Sequence, residues 1–321
     1  MWNIKRYDRT ASGEWNEFVA ASRNGTFLFD RGYMDYHSDR FADCSWRVYK
    51  DCRLMALLPA NLTPDGVLHS HGGLTYGGWI LPPAHIDGAD VLEFFEKACR
   101  VWSDMGIKAL DYKPVPYIYA RQPSQEDEYA LFRLGARLTE RTLSATIDLR
   151  RDVCFNKLQK RHLSKALALP IEVRSTDDID LFMRMLEDCL RERHDVSPVH
   201  SAGEMKLLAG RFPDNIRFYA TFLDGQPHAG VCVYNTGRVA HAQYIATTPE
   251  GRRLNLLTPL FHKLITETYA GCEYFDFGIS NENQGMYLNE GLLRQKYSYG
   301  ATGTVLNRYM LIISDAVCAE K

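Results

Sequence analysis

The stretch IRFYATFLDGQPHAGVCVYNTGRVAHAQYIAT, residues 216–247, most constrains the fold. Apolar and polar residues alternate through three short runs, the pattern of half-buried strands. The runs break at Asp224-Gly225 and at Asn235-Thr236-Gly237. Both breaks carry residues that accept positive φ, as tight hairpin turns require. The stretch therefore reads as three consecutive strands joined by hairpin-type turns. NLLTPLFHKLITETYAG follows and reads as a helix, in which Pro259 is tolerable only near the first turn. CEYFDFGIS is a further strand, MYLNEGLLRQKYSYG is helical in part, and TGTVLNRYMLII is a closing strand.

The rest of the chain repeats this order. In the first half, helical spacing in EWNEFVAAS, GADVLEFFEKACRVWSDMG and SQEDEYALFRLG is mixed with strands in SWRVYKDCRLMALLPANL, GVLHSH, IKALDYKPVP and ARLTERTLSATIDL. NGTFLFDRGYMDYHSDRF reads as a helix with an aromatic face. In the second half FNKLQKRHLSKALAL, DDIDLFMRMLEDCLRER and SAGEMKLLAGRF read as helices and IEVRST as a strand. The expected fold is α/β of the α+β kind. It has two tandem units, 1–145 and 146–321, each a mixed, mostly antiparallel sheet flanked by helices.

Composition excludes several classes. Hydrophobic residues make up 45% and charged residues 24% of the 321 positions, as in a globular protein. No run is long and apolar enough to span a membrane. The N-terminal MWNIKRYDRTASGEW lacks the apolar core of a signal peptide, so a cytoplasmic location is expected. A net charge of −2 argues against a general nucleic-acid coat. The eight cysteines include no CxxC pair, so neither a zinc ribbon nor a redox dithiol is expected, and no metal.

Residues 224–265, DGQPHAGVCVYNTGRVAHAQYIATTPEGRRLNLLTPLFHKLI, resemble the hairpin, central strand and donor helix of the GCN5-related N-acetyltransferase (GNAT) superfamily. EYFDFGIS and LLRQKYSYGA resemble the ending of its two-unit, Fem-like acyl and peptidyl transferases, through Asp276, Gly278, Lys296, Tyr297 and Gly300. FNKLQKRHLSKALAL resembles the basic helix that opens the second Fem-like unit. The resemblance covers roughly 150–312. It implies an N-acyltransferase working by direct attack in a ternary complex, with acetyl-CoA or another acyl-CoA as co-substrate. The acceptor would be a small amine such as an amino sugar, free or nucleotide-linked, in cell-envelope assembly. The alternatives are an aminoacyl-tRNA-dependent Fem-like transferase and a non-catalytic ligand-binding relative. No long charged coiled-coil pattern favours tRNA.

Such a transfer needs a base for the amine, a donor for the oxyanion and an acid for the leaving group. Asp276 and His241 are the candidate bases, and Tyr297 the candidate acid. His241 and Tyr244, three apart on one strand, are expected on opposite faces. The turn Gly251-Arg252-Arg253-Leu254-Asn255 would present backbone amides and charge to a pyrophosphate at a helix start, with Lys296 as a further anion contact. TPEGRRLNLLTPL lacks the second glycine usual in the acyl-CoA loop. Tyr244 is a substrate candidate. So are His71, Tyr76 and Trp79 of HSHGGLTYGGWILPP, in a cleft between units, although a Gly-rich bend packed for structure is an equal alternative. Lys157, Arg161 and Lys165 share a helix face beside Lys160, suited to a phosphate-rich partner or simply to solvent.

Overall fold

Strand pairing follows the alternation read in the sequence, within two units that the computed structural model describes over residues 1–194 and 197–318. The first unit begins with β1 (Trp2–Arg6), α1 (Ser12–Ala21), α2 (Arg31–Met34), β2 (Trp46–Lys50), β3 (Arg53–Leu58), β4 (Asn61–Leu62) and β5 (Val67–His69). It continues through α3 (Gly88–Asp104), β6 (Ala109–Tyr112), α4 (Glu126–Arg133) and the start of β7 (Arg137–Asp148). The second unit takes β7 from Leu143, then α5 (Lys157–Leu167), β8 (Ile171–Ser175), α6 (Ile179–His194) and α7 (Ala202–Arg211). β9 (Ile216–Leu223), β10 (Gln226–Asn235), β11 (Val239–Thr247), α8 (Pro249–Arg253), α9 (Leu257–Lys263) and β12 (Tyr274–Ile279) follow. The small hairpin of β13 (Asn281–Glu282) and β14 (Tyr287–Leu288) precedes α10 (Glu290–Tyr297), β15 (Thr302–Ile312) and α11 (Ile313–Cys318).

The unit boundary differs from the expected one. Residues 305–318 belong to the first unit, not the second. Residues 309–312 of β15 pair antiparallel with 109–112 of β6. Leu311, Ile313 and Ala316 are buried in the first unit's core beside Trp79, Phe94, Phe95, Trp102 and Tyr112. Apolar burial of the last strand and helix thus outweighs sequence proximity. A second difference concerns NGTFLFDRGYMDYHSDRF. Only Arg31–Met34 is α-helical there, between single 3-10 turns at Phe27–Phe29 and Asp35–His37. Asp30 caps Gly32, and Arg31 is buried against Tyr7 and Trp15 with Asp35 and Asp43 as ion partners, so tertiary contacts break the run.

In the second unit the strands run in the order β7-β12-β11-β10-β9-β8. All neighbours are antiparallel except β11 and β12. One sheet face is apolar: Val231, Val233, Ala240, Ala242, Phe275 and Phe277 pack with Leu260 and Phe261 of α9. Pro259 lies in the first turn of α9, where its missing N–H costs nothing.

Candidate active site

The parallel ladder between β11 and β12 is only three rungs long. It pairs Val239 with Tyr274, Ala240 with Phe275 and His241 with Asp276. Beyond that rung the strands part. β11 stays bonded to β10 as far as Thr247. β12 bulges between Asp276 and Ile279, where Gly278 adopts φ 75°. Such a bulge re-aims the backbone, and here it turns the carbonyls of Gly278 and Ile279 onto the Lys296 ammonium, at 2.9 and 2.6 Å.

A cavity of about 440 Å³ lies in the second unit past the end of this ladder. Ile245 and Thr247 of β11, Phe277 of β12, and Leu257 and Phe261 of α9 give it an apolar wall. Gln159 and His162 of α5, Arg252, Asn255, Thr258, Lys296 and Tyr299 supply its polar groups. Lys296 is 6% exposed, and burial pushes its amine down to about 8, with the Asp276 charge opposing the fall. An ammonium has three N–H donors. Two are spent on the carbonyls, leaving one on a residue that lines the cavity.

Asp276 is 3% exposed, and its charge acts on this lysine. Ser144 and Thr146 of β7 donate to its Oδ1 at 2.5 and 2.9 Å, and His241 Nδ1 lies 2.8 Å from Oδ2. Burial alone would raise its carboxyl. The bonds and charge of His241, with the two hydroxyls, outweigh burial and hold it below its ordinary value.

Gly251, Arg252, Asn255 and Lys296 therefore come together around one cavity, while other predicted residues lie elsewhere. Arg253 is exposed and paired with Glu250, and Leu254 packs beside Ala166, Ala229 and Leu256. Tyr297 is 38% exposed and does not line the cavity; Tyr299, 3% exposed, does. Tyr244 bonds His200 Nδ1 at 2.5 Å. The expectation that His241 and Tyr244 face opposite ways is overturned. A bulge makes Gln243 an extra residue, so His241 and Tyr244 pair with Tyr234 and Cys232, which share a face.

The turn after β11 also differs from a row of free amides. Thr248 Oγ1 takes the Gly251 N–H, and backbone carbonyls take those of Arg252, Leu254, Asn255, Leu256 and Thr258. Gly251 is required by packing: a Cβ there would sit 1.9 Å from the His228 carbonyl oxygen. Arg252 lines the cavity but is already paired with Glu192. Gln159, His162, Thr258 and Phe277 escaped sequence reasoning because nothing in their spacing marks them. Burial and the charges of Arg161 and Lys165 hold His162 below its ordinary value.

The segment 69–83 is built inside the first unit. His71, 3% exposed, stacks on His37 with centroids 5.1 Å apart, and burial drives its imidazole down to about 3. Tyr76 donates to Thr26 Oγ1 and packs on Tyr119. Trp79 is fully buried against Phe94, Phe95 and Trp102. The glycines serve packing: a Cβ on Gly73 would meet His37 Nε2 at 2.4 Å, and one on Gly77 the Ser70 carbonyl oxygen at 1.7 Å. The first unit nonetheless repeats the second unit's ladder. β5 and β6 are parallel, His69 pairs with Asp111, and His69 Nδ1 lies 2.7 Å from Asp111 Oδ2. Here the strands stay zipped beyond the pair: Ser70 N–H bonds the Asp111 carbonyl and Ser70 Oγ takes the Lys113 N–H.

Among the described residues no group of three or more His, Cys, Asp or Glu is placed to hold a metal ion, and no helix is long and apolar enough to cross a membrane. Residues 156–284 match the acetyltransferase (GNAT) domain. No curated protein matches the sequence. The fold is similar to the crystal structure of FemX, at 11% identity and a TM-score of 0.69, covering 97% of both chains. It is similar to the C-terminal domain of a putative lysylphosphatidylglycerol synthetase from Agrobacterium fabrum, at 11% identity, a TM-score of 0.60, and 96% and 94% coverage. A tandem GNAT protein of the clavulanic acid biosynthesis pathway matches at 13% identity, a TM-score of 0.53, and 98% and 99% coverage. The fold class and the resemblance read in the sequence are thus borne out.

Proposed function

We propose, from the GNAT acetyltransferase domain that the second unit carries, that this protein is an N-acyltransferase whose acyl donor enters the cavity beyond the β11–β12 ladder. One observation carries the reading: two parallel strands of the matched residues part at a polar rung, and Lys296, a buried lysine beyond the matched stretch with one uncommitted N–H, lines the space they open. As an amine adds to a thioester or ester carbonyl, negative charge gathers on the carbonyl oxygen. A preorganised donor that strengthens with that charge lowers the barrier. Lys296 is that donor here. Asp276 is a positioning residue: its carboxylate keeps Lys296 protonated near neutral pH and fixes the His241 ring. The acceptor is a small amine, such as an amino sugar used in cell-envelope assembly.

Acyl-CoA is the favoured donor. Its phosphates would meet Arg252 and Asn255 side chains rather than amides, since the turn's N–H groups are mostly bonded internally. That same shortage favours one second reading, the aminoacyl-tRNA donor implied by the Fem-like resemblance. Thermal shift with acetyl-CoA, CoA and aminoacylated tRNA separates them. Ligand at about a hundred times its Kd adds about 2.7 kcal/mol to stability, so a true donor raises Tm by several degrees. A shift with tRNA alone selects the second reading, and no shift with any of the three overturns both. With a donor identified, Lys296→Met is expected to lower kcat by about two to three orders of magnitude.

A further inference from the structure

Four cations on α5 stand out from their neighbours because they have no counter-charge. Lys157, Lys160, Arg161 and Lys165 are exposed, and among the described residues none reaches a carboxylate at ion-pair distance. Cations flanking the helix do: Arg150 and Arg151 pair with Asp148, and Arg174 with Glu172. At about 100° per residue the four cations form one outward stripe. Leu158 and Leu167 border that stripe on its two sides, 46% and 59% exposed. The opposite side of the same helix buries Gln159 and Ala166 and turns Gln159 and His162 to the cavity.

The apolar exposure continues on α10. Ser298, just past that helix, accepts from Asn156 N–H at 3.0 Å and from Gln159 Nε2 at 2.9 Å, so the two elements are tied together. Leu292 and Tyr297 of α10 are each 38% exposed, and Leu292 lines the cavity. The cavity is thus bordered by elements that carry unpaired cations and exposed apolar side chains.

We propose that this rim docks onto an anionic phospholipid surface, with the α5 cations on headgroup phosphates and Leu158 and Leu167 between the headgroups. Exposed leucines flanking a cationic stripe are what an interfacial helix presents. An RNA backbone would use the cations and leave Leu158 and Leu167 in water, whereas a lipid surface takes up both. Docking by this face brings the cavity to the lipid–water boundary.

Flotation of the purified chain with vesicles tests the inference, and because it measures binding and not turnover, its failure leaves the acyl-transfer reading standing. The chain is expected to float with phosphatidylcholine vesicles containing phosphatidylglycerol and not with pure phosphatidylcholine, and salt should release it. Each cation near such a surface is worth about a factor of five. The combined Lys157→Gln, Lys160→Gln, Arg161→Gln and Lys165→Gln variant should therefore bind two to three orders of magnitude more weakly. Leu158→Gln with Leu167→Gln should weaken binding by about tenfold. All six side chains are outward, so melting temperatures should match wild type, which separates lost docking from lost folding. Absence of binding to the anionic vesicles, equal binding by the fourfold variant, or binding of bulk tRNA without binding of vesicles would each overturn the proposal.

Discussion

Replacing Lys296 by Met tests the buried ammonium without any knowledge of the substrate. A fall from the usual 10.5 to about 8 means that burial disfavours the charged amine by about 3 kcal/mol near neutral pH. Methionine removes that cost but leaves two carbonyls, those of Gly278 and Ile279, without their donor, a loss of about 1 kcal/mol each. The variant should therefore be as stable as wild type at neutral pH, or more stable by about 1 kcal/mol. The sharper signature is its pH dependence. The folded state holds the lysine proton less tightly than the unfolded chain does. Between pH 8 and 10.5 the unfolded chain binds more protons, so wild-type stability rises with pH across that window. Lys296→Met should lack this rise. Urea denaturation at about pH 7.5 and about pH 9.5 should show wild type gaining about 2 kcal/mol relative to the variant. Parallel stabilities at the two pH values, or a variant several kcal/mol less stable at neutral pH, would refute the account of Lys296.

Three further predictions concern the surroundings. Asp276→Asn leaves two hydroxyls and His241 facing an amide in a buried site, so urea denaturation should show a loss of about 3 kcal/mol; a loss under about 0.5 kcal/mol would sink the buried network. Gly251→Ala forces a Cβ against the His228 carbonyl and should lower stability by about 1–3 kcal/mol, while Gly210→Ala, with open space around it, should not destabilise. Burial raises the Asp127 carboxyl to about 7 from its usual 3.8, against a hydrogen bond from Tyr112. The folded state therefore holds that proton more tightly than the unfolded chain, and stability should fall as pH rises from about 4 to about 7; Asp127→Asn should flatten that fall.

The sheet and its helices were legible because alternation and turn residues act locally. Residues 216–247 fold as their pattern reads, and Pro259 lies in the first turn where its chemistry allows it. Gly251, Arg252, Asn255 and Lys296 were reachable through the resemblance, and they do meet at one cavity. What escaped depends on events that spacing does not encode. One extra residue, Gln243, turns Tyr244 onto the face of His241. The bulge at Gly278 aims two carbonyls at a lysine eighteen residues on. Gln159 and His162 reach the cavity only because α5 packs there, and the last strand joins the first unit because its partner β6 lies there. The glycines of HSHGGLTYGGWILPP left a substrate cleft and a packed bend equally open in the sequence, and contacts with His37 and Ser70 account for Gly73 and Gly77.

The repeated His–Asp rung bears on how such a chain could be remodelled. Both units end a short parallel ladder on the same pair, His69 with Asp111 and His241 with Asp276. In one unit Ser70 closes the strands behind the pair, and in the other they diverge around a cavity. The rung is therefore a shared fixture, and ligand capacity is set by the few residues downstream of it. An engineer seeking a second chamber in this protein would leave His69 and Asp111 alone and redesign residues 70–78.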